Sequence, residues 1–286
     1  MVKQISVKYR PLDYVWLGID RAFVRIASFC AKLVGKSTFQ FLVDVGLINA
    51  ASLNRLHHCI EAAKTESMSK EELEQELAIQ DESSRYVLQF LTTSDEKYGV
   101  LNEEIKRRAA IKVEKSIEEH RDALDELWKL HAEYEFEPKG DWTLLGFQRT
   151  TDPTTDFRST GAFGLEQMEF FVKYHKMVLE KEVAWPQQLP FALTSIHITA
   201  FLMALLQENH LLAHFYAAHE LPSLDGINKI HCRLLWLMMC YWMRQCADSI
   251  MYFEKHFTTF KESIVRLLHF HHKNLHEITI DDVYKA

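Results

Sequence analysis

Arg158 lies in the part of this sequence whose residue types differ most from the rest of the chain. The stretch from Trp142 to Phe171 concentrates glycine, proline, threonine and aspartate, whereas the whole chain has only nine glycines and six prolines. Its turn-forming residues are Gly146, Pro153, Gly161 and Gly164. Glycine and proline at close spacing mark backbone that turns, and a rigid turn often displays functional side chains. Arg158 is therefore the first candidate for a functional residue.

The guanidinium of Arg158 has two chemical uses in such a turn. It can pair with Asp152 or Asp156 and hold the loop shut, which is a structural role. It can instead act as an arginine finger, which enters a partner GTPase and stabilises the charge that develops on the transferring phosphoryl group. The residue types by themselves favour the structural role.

The same stretch resembles a known family, the ELMO domain of engulfment and cell motility proteins, and more closely its standalone ELMOD branch. The family pattern is a tryptophan, then Gly-Phe-Gln, then Asp-Pro-x-Thr-Asp-Phe-Arg-Gly-x-Gly and a run of leucines and aromatics. The residues in register with this pattern are Trp142, Gly146, Phe147, Gln148, Asp152, Pro153, Thr155, Asp156, Phe157, Arg158, Gly161 and Gly164. Ser159 departs from it, since the family usually has glycine there. Looser matches follow around Pro190 and Trp242.

This resemblance implies a function and assigns roles to the matching residues. It implies a GTPase-activating protein for small GTPases of the Arf or Arf-like class, with Arg158 as the finger and the other matching residues binding the partner or orienting the loop. Asp156 and Gln148 are interpreted as orienters. The partner would supply GTP and magnesium, so we expect no cofactor and no independent catalytic activity in this chain. The alternative is a non-catalytic scaffold that binds a small GTPase or its regulator.

Composition predicts the fold class and restricts the partners. Few glycines and prolines, with 48% hydrophobic residues, favour an all-α fold: a multi-helix domain with an irregular central loop. A net charge of −7 argues against nucleic acid as a partner. The cysteines are odd in number and mostly lie in apolar helical runs, which is typical of reduced thiols in a cytoplasmic protein.

The domain organisation is predicted as an N-terminal helical region over 1–66 and an ELMO-type domain over 67–286, forming one continuous unit. The apolar residues from Leu12 to Val34 recur at helical spacing with cations between them. This helix is interpreted as core-packing, and the alternative is a peripheral membrane contact. The polar start, Met1 to Arg10, predicts no signal peptide. The length leaves no room for the further domains of the larger engulfment proteins, which favours the standalone branch.

Several helix boundaries follow from local signals. Thr92 to Asp95 are expected to break a helix that starts near Lys70. The run Ile227 to Phe253 is apolar on nearly every side and is predicted to be the central buried helix. The uncharged run Val183 to Gln207 contains two prolines and is expected to include a core helix instead of a membrane span. The tail from Asn274 to Ala286 is expected to fray.

Other functional signatures are weak or absent. His210 and His214 stand one helical turn apart, but the glutamate of a zinc-protease motif does not follow the first of them, so we expect no metal site. The chain also has no phosphate loop, no dinucleotide glycine fingerprint after a strand and no nucleophile elbow. We therefore expect no nucleotide to bind to the chain by itself.

Overall fold

The structure is a computed structural model that describes residues 82–132, 140–182, 188–218, 220–245, 249–269 and 274–286. The chain divides into two compact units, Met1–Asp95 and Glu96–Ala286. The predicted N-terminal region 1–66 and the helix from Leu12 to Val34 lie outside the described residues, so both stay predictions. The motif residues from Trp142 to Gly164 lie entirely in the second unit.

The described residues form α-helices and short 3-10 helices and contain no strand, which confirms the all-α prediction. The α-helices are α1 (Glu82–Ala109), α2 (Glu118–Ala132), α3 (Gly161–Glu182), α4 (Phe191–Gln207), α5 (His210–Ala218), α6 (Leu224–Arg244), α7 (Phe253–His269) and α8 (Ile280–Lys285). The 3-10 helices are Trp142–Leu145, Pro153–Ser159 and Ile250–Tyr252. The predicted irregular central loop therefore contains two short 3-10 helices.

Helix α6 is the centre of the second unit, as its apolar sequence predicts. It packs against α3, α4, α7 and α8, and between Gly226 and Trp242 only Lys229 is exposed. The helix ends at Arg244, earlier than the predicted Phe253. After it, Ser249 caps the 3-10 helix Ile250–Tyr252, its hydroxyl accepting a hydrogen bond from the amide of Met251. The motif segment, residues 141–160, directly precedes α3, which packs against this buried helix.

The predicted helix break at Thr92 to Asp95 is wrong, since α1 continues through these residues to Ala109. Threonine, serine and aspartate cost a helix interior only a few tenths of a kcal/mol each relative to better helix formers. Thr92 also satisfies its hydroxyl within the helix by donating to the carbonyl oxygen of Gln89. A short polar run therefore does not end this helix.

The predicted fraying of the C-terminal tail is also wrong. Leu275, Ile278 and Val283 are almost completely buried. Thr279 and Asp282 form a reciprocal capping box at the start of α8, which satisfies amides that would otherwise lack partners. The tail is held by apolar burial and by a helix cap that lies within it.

His214 links α5 to this tail. It is fully buried, and its Nδ1 accepts a hydrogen bond from the amide of Leu275 at 3.0 Å. Because Nδ1 accepts, the neutral ring carries its proton on Nε2. Desolvation by burial, with a smaller contribution from His276, lowers the pKa of His214 to about 3. The folded protein therefore keeps this ring neutral.

We expect stability to fall as the pH is lowered from 6.5 towards 3. The unfolded chain takes up a proton at His214 near its ordinary pKa of 6.5, while the folded chain does not until about 3. His214 therefore lowers the free energy of unfolding by about 1.4 kcal/mol for each unit by which the pH falls inside that window. In His214→Asn the amide oxygen can still accept from Leu275 but does not titrate, so the slope should be shallower. Burial also lowers the pKa values of His197 and His276, so a residual slope is expected.

Urea denaturation at pH 7, 6 and 5 measures this slope for both proteins. An equal pH dependence in wild type and His214→Asn would contradict the assignment of the effect to His214.

No single helix in the described ranges is long and apolar enough to cross a membrane. The helices Phe191–Gln207 and His210–Ala218 reach that length and composition only as a pair, bent by 88°. Most of α4 is buried in the protein, including Ala192, Ile198 and Leu202. The prediction of a core helix in the uncharged run is therefore confirmed.

Candidate functional site

A cluster of buried aromatic rings forms the base of the motif segment. Trp142 contacts Trp128 of α2 with ring centroids 5.1 Å apart, and contacts Phe147 at 5.6 Å. Phe147 in turn contacts Phe157 at 5.8 Å. All of these rings are at most 6% exposed. Aromatic pairs in such tilted and edge-to-face arrangements add to the stabilisation from area burial, so the rings fix the two 3-10 helices against each other and against α2.

Gly146 provides the turn between these rings. Its φ is 85°, in the left-handed region that favours glycine. A Cβ at this position would lie 2.7 Å from the nitrogen of Phe191 and 2.8 Å from backbone atoms of Pro190. The carbonyl oxygen of Gly146 also accepts a hydrogen bond from the amide of Leu193 in the first turn of α4. The turn therefore packs backbone against backbone on the start of α4.

Asp152 caps the second 3-10 helix, Pro153–Ser159. Its carboxylate accepts hydrogen bonds from the amide and hydroxyl of Thr154. Lys115, from the connection between α1 and α2, lies 3.7 Å from the same carboxylate and donates to the carbonyl oxygen of Thr151. Desolvation raises the pKa of Asp152, but the hydrogen bonds from Thr154 and the charge of Lys115 outweigh it, so the pKa lies below its usual value. Asp152 is thus engaged within the loop.

Asp156 joins the two halves of the motif segment. Its Oδ2 accepts a hydrogen bond from the backbone amide of Gln148 at 2.7 Å. The amide of Trp142 donates to the carbonyl oxygen of Thr150, which closes the loop between these two residues. These bonds fix the position of the 3-10 helix that carries Arg158 relative to the turn that carries Gln148.

We expect Asp156→Ala to lower the free energy of unfolding by about 1–2 kcal/mol, because the amide of Gln148 loses a charged acceptor. Asp156→Asn retains an oxygen at the same position and should lose less. Denaturant titrations of both variants against wild type measure the difference. An alanine variant as stable as wild type would show that the bond does not brace the loop.

Gly161 places the start of α3 against the end of α1. Its φ is 54°, and a Cβ there would lie 2.1 Å from the carbonyl oxygen of Ala109 and 2.6 Å from that of Ile111. The amide of Ala162 donates to the same oxygen of Ile111 at 2.8 Å. Only a residue without a side chain allows this approach of two backbones.

Gly164 and a charged pair complete the support behind the loop. A Cβ on Gly164 would lie 2.2 Å from Oγ1 of Thr160, a fully buried side chain. Arg108 at the end of α1 donates to Glu166 of α3 at 2.7 Å. The close packing of Gly164 on Thr160 therefore fixes the first turn of α3 against the residue before it, and the ion pair links α3 to the end of α1.

Arg158 differs from the residues around it. Its side chain is exposed, and it forms no hydrogen bond or ion pair with any residue that the structure describes. The structural pairing with Asp152 or Asp156 is therefore not formed, since the carboxylates accept from Thr154 and from Gln148 instead. A guanidinium held on a braced loop, without a partner inside the described chain, is available to an external anion.

Comparison with known proteins identifies the family. The model of the ELMO/CED-12 family matches residues 103–257, which is more than half of this 286-residue chain. The chain belongs to the ELMO/CED-12 family. The match includes the motif segment and α3 to α6.

Several curated relatives are similar over this region. ELMO domain-containing protein 2 from Homo sapiens is 27% identical over 162 residues, which cover 52% of this chain and 54% of that protein. ELMO domain-containing protein 1 from Mus musculus is 26% identical over 175 residues, or 52% of this chain and 53% of that protein. ELMO domain-containing protein C from Dictyostelium discoideum is 34% identical over 91 residues, or 31% of this chain and 15% of that protein.

The chain spans about half the length of the ELMO domain-containing proteins 1 and 2 that it matches. No solved structure matches it.

The motif residues of this ELMO chain separate into two groups by exposure. Only Gln148 and Arg158 are exposed. The others are buried or half-buried: Trp142, Gly146, Phe147, Asp152, Pro153, Thr155, Asp156, Phe157, Gly161 and Gly164. The exposed pair is available to a partner, and the rest shape the loop. The assignment of a partner-binding role to these residues stays a prediction.

Ser159, where the ELMO pattern usually has glycine, is accommodated by the backbone. It lies at the end of the 3-10 helix Pro153–Ser159 and is exposed. Among the described non-glycine residues, positive φ occurs only at Asn209. A serine at 159 therefore needs no left-handed backbone and introduces no strain beside Arg158.

Two cations near the motif were not predicted. Lys115 is separated from Thr151 by 36 positions in the sequence, and no local pattern links them. Arg149 follows Gln148 directly and is exposed. The sequence already shows this arginine inside the motif, but the residue matches no position of the ELMO pattern.

The histidine pair on α5 has no ligand geometry. His214 is buried against Leu275, whereas His210 lies near Glu208 at 3.2 Å. Within the described residues, no group of three or more histidine, cysteine, aspartate or glutamate side chains could hold a metal ion. Cys232 is a buried free thiol whose pKa is raised to about 12 by desolvation, so it is neither a ligand nor a nucleophile in this state.

Proposed function

We propose that this chain is a GTPase-activating protein for a small GTPase of the Arf or Arf-like class, with Arg158 as its arginine finger. The chain completes the active site of its partner and has no catalytic activity of its own. The partner supplies GTP, magnesium and the attacking water, and the chain needs no cofactor.

The observation that carries this proposal is the contrast between Arg158 and its surroundings. Its guanidinium is exposed and unpaired among the described residues, while Phe157 before it is 1% exposed. Asp156 is bonded to the amide of Gln148. A finger must be positioned before it meets the phosphates, because ordering it during the reaction would cost conformational entropy. This loop supplies that positioning and leaves the charge free.

Arg158 would stabilise negative charge in the transition state and would not itself form or break a covalent bond. In the partner, water attacks the γ-phosphorus, the bond from that phosphorus to the β–γ bridging oxygen breaks, and GDP and inorganic phosphate result. Negative charge accumulates on the γ- and β-phosphate oxygens in the transition state. The planar guanidinium can donate two hydrogen bonds to such oxygens, and a contact made mainly in the transition state raises the rate.

The rival function is a scaffold that binds the GTPase without stimulating it. The loop also contains Leu144, an apolar residue that is 44% exposed. An exposed apolar side chain on the same loop as a free guanidinium suits a binding surface whether or not catalysis follows. Activity, and not binding, therefore distinguishes the two functions.

Single-turnover GTP hydrolysis by a panel of Arf and Arf-like GTPases, with and without this chain, tests the proposal. We expect at least one GTPase to be stimulated, by a factor that saturates as the concentration of the chain rises. Rac and Ras proteins loaded with GTP serve as controls and should not respond. Binding to a GTP-loaded partner without stimulation would establish the scaffold function instead.

A further inference from the structure

Arg149 is a second exposed arginine on the same loop. It directly follows Gln148, whose backbone nitrogen lies 2.7 Å from Oδ2 of Asp156, two residues before Arg158. The two arginines therefore follow backbone positions that are tied together by one hydrogen bond. Through this bond the turn that carries Arg149 is tied to the 3-10 helix that carries Arg158.

Neither arginine has a counter-charge within the described part of the chain. The carboxylates of the motif segment are engaged locally: Asp141 with Thr143, Asp152 with Thr154 and Lys115, and Asp156 with the amide of Gln148. The whole chain carries a net charge of −7. Two uncompensated guanidiniums on one loop of an acidic protein form a local cationic surface, which attracts an acidic partner.

We propose that Arg149 is a partner-binding residue that contacts carboxylates on the protein surface of the GTPase, outside its nucleotide pocket. This inference rests on the proposed function, because Arg158 determines which partner lies against the loop. Arg158 follows Phe157 in the second 3-10 helix, whereas Arg149 lies in the turn before it, so the two side chains leave the loop at different points. With Arg158 in the pocket, Arg149 meets the rim. Charges at the rim of an interface act on affinity and association rate.

A change at Arg149 should therefore alter the affinity for the GTPase and not the maximal rate of stimulated hydrolysis. Arg149→Glu should raise the concentration of chain that gives half-maximal stimulation by about tenfold, since it replaces an attraction by a repulsion. The maximal stimulated rate should stay unchanged. Arg149→Lys should bind nearly as well as wild type, because a point charge suffices at a solvated rim.

The matched control is Lys97→Glu, which makes the same change in net charge. Lys97 is exposed on α1, twelve residues before Ala109, which is about 18 Å along a helix. Lys97→Glu should leave the half-maximal concentration unchanged. The affinity loss of Arg149→Glu should also shrink as salt is raised, since exposed charges are screened. Melting temperatures of all variants report whether the fold is retained.

Each outcome decides the inference. An unchanged half-maximal concentration in Arg149→Glu, or an equal shift in Lys97→Glu, would overturn it. A lowered maximal rate would place Arg149 at the reacting phosphates and overturn the assignment to the rim. If wild type stimulates no GTPase, the proposed function fails, and calorimetric binding to the GTP-loaded panel becomes the test. Weaker binding by Arg149→Glu would then still support the inference, and no binding by wild type would overturn both.

Discussion

Arg158→Lys should bind the GTP-loaded partner as wild type does, yet lose most of its stimulation of GTP hydrolysis. Lysine retains a positive charge but lacks the planar fork that contacts two phosphate oxygens at once. Loss of an arginine finger lowers hydrolysis by about 10³-fold or more, which corresponds to roughly 4 kcal/mol of transition-state stabilisation. Single-turnover hydrolysis at saturating chain, together with a binding measurement, checks both parts of this expectation.

The melting temperature of Arg158→Lys should equal that of wild type. The side chain of Arg158 is exposed and forms no hydrogen bond or ion pair with any described residue, so the fold has no polar side-chain contact to lose. Arg121→Lys, an exposed arginine on α2, is a matched control and should retain both stability and stimulation. An Arg158→Lys protein that stimulates fully would rule out the finger. A clearly lowered melting temperature would instead support a structural role.

Gly161→Ala should destabilise the second unit by about 2–5 kcal/mol. The left-handed backbone at Gly161, with φ of 54°, costs roughly 1–2 kcal/mol for a residue with a Cβ. The new methyl would also lie 2.1 Å from the carbonyl oxygen of Ala109, and relieving such overpacking costs about 1–3 kcal/mol more. The clash is between the new Cβ and a backbone oxygen, so no side-chain rotation can remove it.

Gly99→Ala is the control for this effect. Gly99 lies inside α1, and a Cβ there meets nothing within 4 Å. Alanine should therefore stabilise the helix by about 0.5–1 kcal/mol. Chemical denaturation of the two variants should show changes of opposite sign. If Gly161→Ala stays within about 0.5 kcal/mol of wild type, α1 and α3 do not approach as closely as the structure has them.

The sequence by itself determined the fold class and the location of the motif loop. Low glycine and proline content with apolar helical periodicity predicted an all-α domain, and the buried face of α6 follows its run of apolar residues. Gly146, Pro153 and Gly161 marked the turns because their backbone preferences are local properties. Local preferences are also why the loop could be identified before any contact was known.

Tertiary structure decided which groups pair within that loop. The sequence allowed Asp152 or Asp156 to pair with Arg158, whereas both carboxylates accept from nearby hydroxyl or backbone donors. These donors are already positioned by the turns, so the bonds require less ordering than one to a long arginine side chain. Arg158 is left unpaired as a result, and this could not be read from the residue types.

Long-range contacts account for what the sequence missed. Lys115 reaches the loop from the connection between α1 and α2, and His214 holds the tail through the amide of Leu275, 61 positions away. The tail was expected to fray as terminal segments commonly do, but burial of Leu275 and Ile278 stabilises it. Sequence patterns report neighbours along the chain, whereas burial and ion pairing depend on residues that only folding brings together.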